Sequence, residues 1–493
     1  MAVILLVEDD PDQLELRAMT LEATGHEVRR ASTAAEALAL AEGAQAAIVD
    51  LRIPALEDGV ALLRTLEECW PSMKRIAVTG WSRDLAALNL NLDEVFEKPV
   101  HTKRLIHFLS KLFLLLAAAI APAATFELAR DGDAVLDLEL EAPGKDWTKP
   151  GSESALADVI IDGKVNQQIM VYAGATPHHY RVFATALQSG RHELTVNGAT
   201  LRSLRAEMPE SFSTHAPILF ERRSAIGKFS DIPLMTYCEK LPDNALQYTV
   251  IFSNEDGGTS TRSLMARWGR TTDIEMVYRV WLNADGSRKR ALIQSREHKE
   301  IEFTGPFEGD HPLLIPVTES NMVAGEGPSK VRYQPAPVLV DLSSASRETV
   351  MDANPQTWKI MTAELVRENK LRAYGEERGE TISDPRNYLY IEANVKPGEA
   401  AVAFAVKHAN GQYFYSHKGR TKDAINRDGW VRSTIELPPG TNAADLRSIQ
   451  PLCVYLANTP SDFPCGPATI KYLFFLGPDM LPGKTFTLLL GNN

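Results

Sequence analysis

The run Val3-Ile4-Leu5-Leu6-Val7-Glu8-Asp9-Asp10-Pro11 sets an apolar segment of strand length directly before three acids and a proline. Proline suits the first turn of a helix, and Leu14, Ala18 and Leu21 then recur at helical spacing until Gly25. The same grammar repeats downstream. Val28 to Ala31 is a second short strand, and Ser32 or Thr33 caps an Ala/Leu-rich helix ending at Gly43. Ala46 to Val49 is an apolar third strand that delivers Asp50 at its carboxyl end. Asp58 to Glu68 reads as helix, Arg75 to Val78 as a fourth strand, Val95 to Glu97 as a short fifth, and Thr102 to Leu112 as a closing helix. Apolar strands that do not alternate, separated by helices, imply a parallel sheet covered on both faces. Residues 1–111 are therefore expected to form a doubly wound α/β domain of five parallel strands, with any ligand at the carboxyl ends of the strands.

Glu8, Asp9 and Asp50 all fall at such strand ends. Converging carboxylates repel one another unless a cation lies between them, and an oxygen-only ligand set suits Mg²⁺. Phosphoryl transfer needs in-line geometry and charge neutralisation more than covalent help. A metal, a hydroxyl and a lysine around one aspartate would supply both, and Thr79 and Lys98 end the fourth and fifth strands. A carboxylate nucleophile forming an acyl phosphate is an established route.

Residues 1–111 resemble the chemotaxis-type receiver domain of two-component response regulators. The likeness rests on Leu6-Val7-Glu8-Asp9-Asp10-Pro11, Val49-Asp50-Leu51-Arg52-Ile53-Pro54, Asp58-Gly59, Val78-Thr79-Gly80 and Glu97-Lys98-Pro99. The resemblance implies that Asp50 accepts phosphate from a sensor histidine kinase or phosphotransfer protein. It implies Mg²⁺ at the acidic pair Glu8 and Asp9, with Asp9 and Asp50 as direct ligands and the backbone carbonyl of Arg52 as a third. Thr79 would hydrogen-bond a phosphoryl oxygen, Lys98 would pair with the phosphoryl group, and Lys98-Pro99 would be a cis peptide. The segment departs from the family pattern in three places. The stretch from Pro54 to Gly59 is slightly long, and the interval from Thr79 to Lys98 is short, which implies a truncated fourth helix. The family's aromatic switch position holds Val95, with Phe96 as its neighbour.

At 493 residues the chain is too long for one core and is expected to be multidomain. A net charge of -12 argues against nucleic acid as a partner, because phosphate binding needs a basic footprint. Four cysteines, Cys69, Cys238, Cys453 and Cys465, are too few for a disulfide scaffold and lack metal-ligand spacing. Cys453 and Cys465 would pair in an exported region or remain two thiols in a reducing one.

Residues 112–124 form a hydrophobic segment. Leu112 to Ala121 is apolar throughout, follows Lys103, Arg104 and Lys111, and precedes Pro122-Ala123-Ala124. A basic region, a short apolar core and a small-residue site are the grammar of a secretory signal. Three readings stand: an extension of the last receiver helix, a signal anchor giving membrane association through 112–121, or a junction with a separately exported protein. The receiver is expected in the cytoplasm, and residues 125–493 either with it, membrane-anchored or exported.

Beyond Thr125 the pattern turns to period-two alternation broken by turn residues. Ala134 to Leu140, Ala157 to Ile161, His192 to Val196 and Tyr472 to Leu476 read as strands, and Val402 to Val406 with Tyr413 to Tyr415 flank a hairpin turn at Asn410-Gly411. Mainly-β, sandwich-like modules are expected over residues 125–205, 206–345 and 346–493. Asp273, Glu275 and a histidine, His298 or His311, are candidates for a metal-dependent hydrolase site in the middle module, weighed against a solvated sheet face. The stretch from Ala216 to Glu275 resembles only thinly a β-rich family named for vacuolar protein sorting, and no function is carried over from it. Trp147, Trp268, Trp281, Trp358 and Trp430 are expected in cores rather than as carbohydrate platforms. The leading function is phosphorelay signalling by the receiver. Its rivals are an exported β-rich ligand- or carbohydrate-binding protein with an appended receiver, and the hydrolase.

Overall fold

The computed structural model describes residues 3–70, 73–80, 90–100, 104–106, 108–109, 124–226, 229, 231–255, 257–325, 329–457, 459 and 465–491. The chain divides into two compact units, Met1–Ile120 and Ala121–Asn493.

The first unit is built on β1 (Val3–Val7), α1 (Pro11–Glu22), β2 (Glu27–Ala31), α2 (Ala34–Leu40), β3 (Ala46–Asp50), α3 (Leu56–Cys69), β4 (Lys74–Thr79) and β5 (Glu94–Glu97). The five strands lie in the order β2-β1-β3-β4-β5, all parallel. This is the expected doubly wound sheet. Its two faces fill two separate cores, one holding Leu5, Val7, Ala47, Val49 and Leu63, the other Ile4, Leu6, Ile48, Ile76 and Phe96. Burial on both sides is why these strands are continuously apolar. Helical backbone resumes at 104–106 and 108–109, whereas the expected fourth helix and the apolar segment 112–123 lie outside the described residues.

Gly59 is what allows α3 to reach the sheet. A Cβ there would sit 2.3 Å from the Leu51 carbonyl oxygen, a backbone atom that cannot swing away. Gly59→Ala is expected to destabilise the receiver unit by about 1–3 kcal/mol, the usual cost of overpacking a core. A lowered urea midpoint at unchanged slope is the readout.

In the second unit, residues 124–207 form two antiparallel sheets that face one core. One orders Ala124–Leu128, Gly190–Asn197, Ala155–Ile161 and Lys164–Val171; the other orders His178–Leu187, Gly132–Glu141 and Thr200–Glu207. A six-stranded sheet follows, in which Asp273–Leu282 and Ala245–Phe252 are central and Val338–Val340 joins one edge in parallel. The last sandwich pairs Tyr388–Val395 with Gly429–Glu436 and Ala468–Phe474, and Ala401–His408 with Tyr413–Tyr415 and Leu446–Val454. The turn at Asn410-Gly411 is present, with Gly411 at φ 86°. The last predicted strand lies a few residues earlier than expected, at Ala468–Phe474.

Among the described residues three α-helices interrupt this β-rich unit, the short Thr349–Ala353 and two longer ones. Thr261–Trp268 is capped by Ser260 and closed by Gly269 at φ 61°. Pro355–Arg367 buries Trp358, Met361 and Leu365, and Trp147 donates to its Glu364 at 2.6 Å. Trp147 and Trp358 are core residues as expected, but Trp268, Trp281 and Trp430 are half-buried beneath Arg267, Arg290 and Lys471 respectively. Cys453 and Cys465 form a disulfide with Cα atoms 5.6 Å apart, while Cys238 is a buried free thiol. Among the described residues no helix is long and apolar enough to cross a membrane.

Candidate functional site

Strand ends assemble the site. Glu8 follows β1 and is held by its backbone N–H on the Ala31 carbonyl at 3.1 Å. Asp10 is taken up in capping: its carboxylate accepts from the Asp12 and Gln13 amides, which starts α1. Asp50 ends β3, Thr79 ends β4, and Lys98 follows β5, its amide bonded to the Thr79 carbonyl at 2.8 Å. Lys98-Pro99 is cis, and so is Ile53-Pro54, which the sequence reading did not anticipate.

Glu8, Asp9 and Asp50 bring carboxylate oxygens within 4.8 Å of one another. Among the described residues this is the one group of acids, histidines or cysteines so gathered. Glu8 and Asp50 are buried and Asp9 is open to solvent, so the pocket has a floor and a mouth. Lys98 Nζ pairs with Asp50 and lies 3.4 Å from both Glu8 oxygens. Arg17 pairs with Glu8 from α1. Burial and the adjacent Asp50 carboxylate push the Glu8 carboxyl up, against the pull of Arg17 and Lys98. The Arg52 amide donates to Asp50 Oδ1 at 3.2 Å, which places residue 52 at the rim. Thr79, buried at the end of β4, sits on the neighbouring strand to Asp50. Every strand-end residue singled out from the sequence thus converges on one sheet edge. Arg17 was missed; its position three residues after Leu14 on the inward side of α1 was the available signal.

Strand parity decides the relay position. Val95 packs with the core that contains Val49, whereas Phe96 belongs to the opposite core, edge-on to Phe108 at 5.8 Å. Phe96 therefore cannot stand in for an aromatic at 95.

The fold and this constellation define a receiver domain: residues 4–110 match the family profile described as response regulator receiver domain, and they form one. Over 111 residues the chain is 36% identical to the sensor kinase CckA of Brucella abortus (strain 2308), an alignment covering 21% of this chain and 12% of that protein. Among solved structures, a CheY-like receiver domain protein from Methanospirillum hungatei JF-1 is 32% identical, spanning 23% of this chain and 93% of its own, with a TM-score of 0.22. The receiver domain of NtrX from Brucella abortus is 27% identical over 22% of this chain and 95% of its own, with a TM-score of 0.21. The receiver class places the first unit in two-component signalling.

The hydrolase constellation is not assembled. Asp273 and Glu275 are close enough for their charges to interact, and Asn321 donates to Asp273 at 3.0 Å. His298, however, sits in the exposed turn after Gln294 at φ 56°, and His311 is committed to the Ala216 carbonyl at 2.7 Å and to Asp133 at 3.0 Å. Arg270 and Arg347 supply the counter-charge that a metal would otherwise provide. Nor is this a solvated face, since Asp273 is buried.

Burial raises both carboxyls of the pair, and it pushes nearby Glu255 up to about 7. Acids raised in the fold bind more protons folded than unfolded, so their contribution is present at low pH and is lost as pH climbs from the ordinary carboxylate range through about 7 for Glu255 and about 8 for Glu275. The stability of the second unit is expected to fall across that window, by at most about 1.4 kcal/mol per group for each pH unit. Glu275→Gln should flatten the decline, which melts at a series of pH values would read.

Proposed function

We propose that the first unit is a phosphorelay receiver whose Asp50 accepts a phosphoryl group from the phosphohistidine of a sensor histidine kinase or phosphotransfer protein. The observation that carries this is the placement of Lys98 against both Asp50 and Glu8, beside three carboxylates close enough to share a cation. An acidic, oxygen-only donor set fits Mg²⁺, held by Glu8, Asp9, Asp50 and the Arg52 carbonyl. When bound, that ion would neutralise charge on the phosphoryl oxygens. Asp50 attacks phosphorus in line, the P–N bond to the donor imidazole breaks, and the freed nitrogen takes up a proton. Lys98 then exchanges the Asp50 carboxylate for a phosphoryl oxygen, and the Thr79 hydroxyl donates to another. With Val95 at the relay position, the output signal is carried by something other than a threonine-aromatic pair. The test is to treat the full chain with acetyl phosphate, with and without Mg²⁺, and map the modified peptide. Mg²⁺-dependent modification within Ala46–Arg52 is expected; modification elsewhere, or independence of Mg²⁺, would reject the assignment.

A second reading concerns location, and the Cys453–Cys465 disulfide favours it. Such bridges persist in oxidising compartments and are rare in the cytosol. Residues 125–493 are then exported or membrane-anchored through 112–121, with the receiver cytoplasmic. Protease added to spheroplasts should digest the second unit and spare the first; protection of both would rule export out.

A further inference from the structure

Among the described residues the large exposed aromatics of the second unit are tyrosines, and three of them share a cleft in the last sandwich. Parity on Tyr413–Tyr415 turns Phe414 into the core at 9% exposure and leaves Tyr413 and Tyr415 outside at 38% and 42%. Tyr374, 37% exposed, lines the same opening, which encloses about 270 Å³. Its remaining polar lining is Glu377, Lys418 and Glu436. These three also line a small adjoining recess of about 20 Å³ that holds Arg262, Arg420 and Asp423.

Two features show that the cleft is constructed rather than incidental. Glu436 is only 5% exposed and pairs with Lys418, so an ion pair is built into the wall of the cleft. Removing a charge from water is costly unless it is matched, and here the match lies within the cleft wall itself. Lys418 lies at φ 46°, a region that favours glycine. Strain of this kind persists where the rest of the structure enforces it, commonly at binding sites.

Charge then selects the ligand class. Lys418, Arg420 and Arg262 are matched by Glu436, Asp423 and Glu377, and Arg420 is paired with Asp423. A polyanion or polycation would gain no net attraction, and an aliphatic chain would strip water from ionised groups without replacing it. A sugar ring satisfies both demands. Its C–H face covers a tyrosine ring, and each hydroxyl donates to one neighbour while accepting from the next. We infer that this cleft binds a neutral oligosaccharide, stacked on Tyr413 and Tyr415, with hydroxyls bonded by Lys418 and Glu377. The inference stands apart from the receiver reading.

The full chain should be run through native gels containing hydroxyethyl cellulose, galactomannan, dextran or polygalacturonate. Retardation by at least one of the three neutral polymers is expected. Tyr413→Ala and Tyr415→Ala should each weaken it by about tenfold, as loss of one aromatic contact does, while the Tyr→Phe variants stay within about twofold. Should the alanine variants lose the wild-type thermal transition, Tyr413→Leu and Tyr415→Leu decide in their place. Asp50→Asn should bind as wild type does, which keeps this result separate from the phosphorelay assignment. No retardation in any neutral gel, retardation by polygalacturonate alone, or indifference to loss of both rings would overturn the proposal.

Discussion

Asp50→Asn is expected to abolish acetyl-phosphate labelling of the receiver, a fall of at least about 10³-fold, because the amide has no anionic oxygen to attack phosphorus. The substitution is close to isosteric, and an amide oxygen at the Oδ1 position can still accept the Arg52 N–H that Asp50 accepts at 3.2 Å. Lys98 keeps Glu8, from which it lies 3.4 Å. The unit should therefore fold, and without divalent cation it should be at least as stable as wild type. The reason lies in the charges: Asp50 is one of the groups that push the Glu8 carboxyl up, and removing it relieves a buried like-charge contact. The converse holds with Mg²⁺. Wild type should gain thermal stability as Mg²⁺ is added, since a ligand that binds only the folded state stabilises it. Asp50→Asn should gain visibly less. Persistent labelling, or an identical Mg²⁺ response in both proteins, would contradict the roles given to Asp50.

How much of this was legible beforehand depends on whether the signal was local. Continuous apolar runs such as Leu5 to Val7 and Ala46 to Val49 announce strands buried on both faces, and the acids that end them then fall at one edge by topology alone. Gly59 was visible as part of a motif, but its reason, the Leu51 carbonyl 2.3 Å from any Cβ, is a tertiary contact. In the second unit, strands could be read from alternation, yet the helix Pro355–Arg367 was overlooked in a β-rich setting despite Trp358, Met361 and Leu365 at helical spacing. Partners far apart in the chain left no trace: Trp147 meets Glu364 across 217 positions. The Tyr413 hairpin was foreseen, but which of its rings face outward depends on where the core lies.

The largest stability effect belongs to Arg432, and it too could not have been read from the sequence. Its side chain is fully buried, and it donates two bonds to Asp352 at 2.7 Å and one to Glu392 at 3.0 Å. A further bond reaches the Tyr472 hydroxyl at 3.3 Å. Glu392 is itself without solvent exposure, and its other bonds come from Ser346 at 2.6 and 2.9 Å. Arg432→Met keeps much of the volume but leaves Glu392 charged, buried and without a cation, which should cost about 3–5 kcal/mol. Arg432→Lys should recover only part of this, because one ammonium cannot serve two carboxylates in a forked geometry. The unpaired charge, not lost packing, is the expected cause, so adding Glu392→Gln to Arg432→Met should restore more than half of the loss. Burial already raises the Glu392 carboxyl, and losing Arg432 raises it further. A raised acid is least costly when protonated, so the gap between Arg432→Met and wild type should shrink as pH falls towards the ordinary carboxylate range. Urea titrations of the four proteins at acid and neutral pH would separate these terms. A loss below about 1 kcal/mol, or one unchanged by pH and by Glu392→Gln, would mean that this buried network does not hold the last sandwich together.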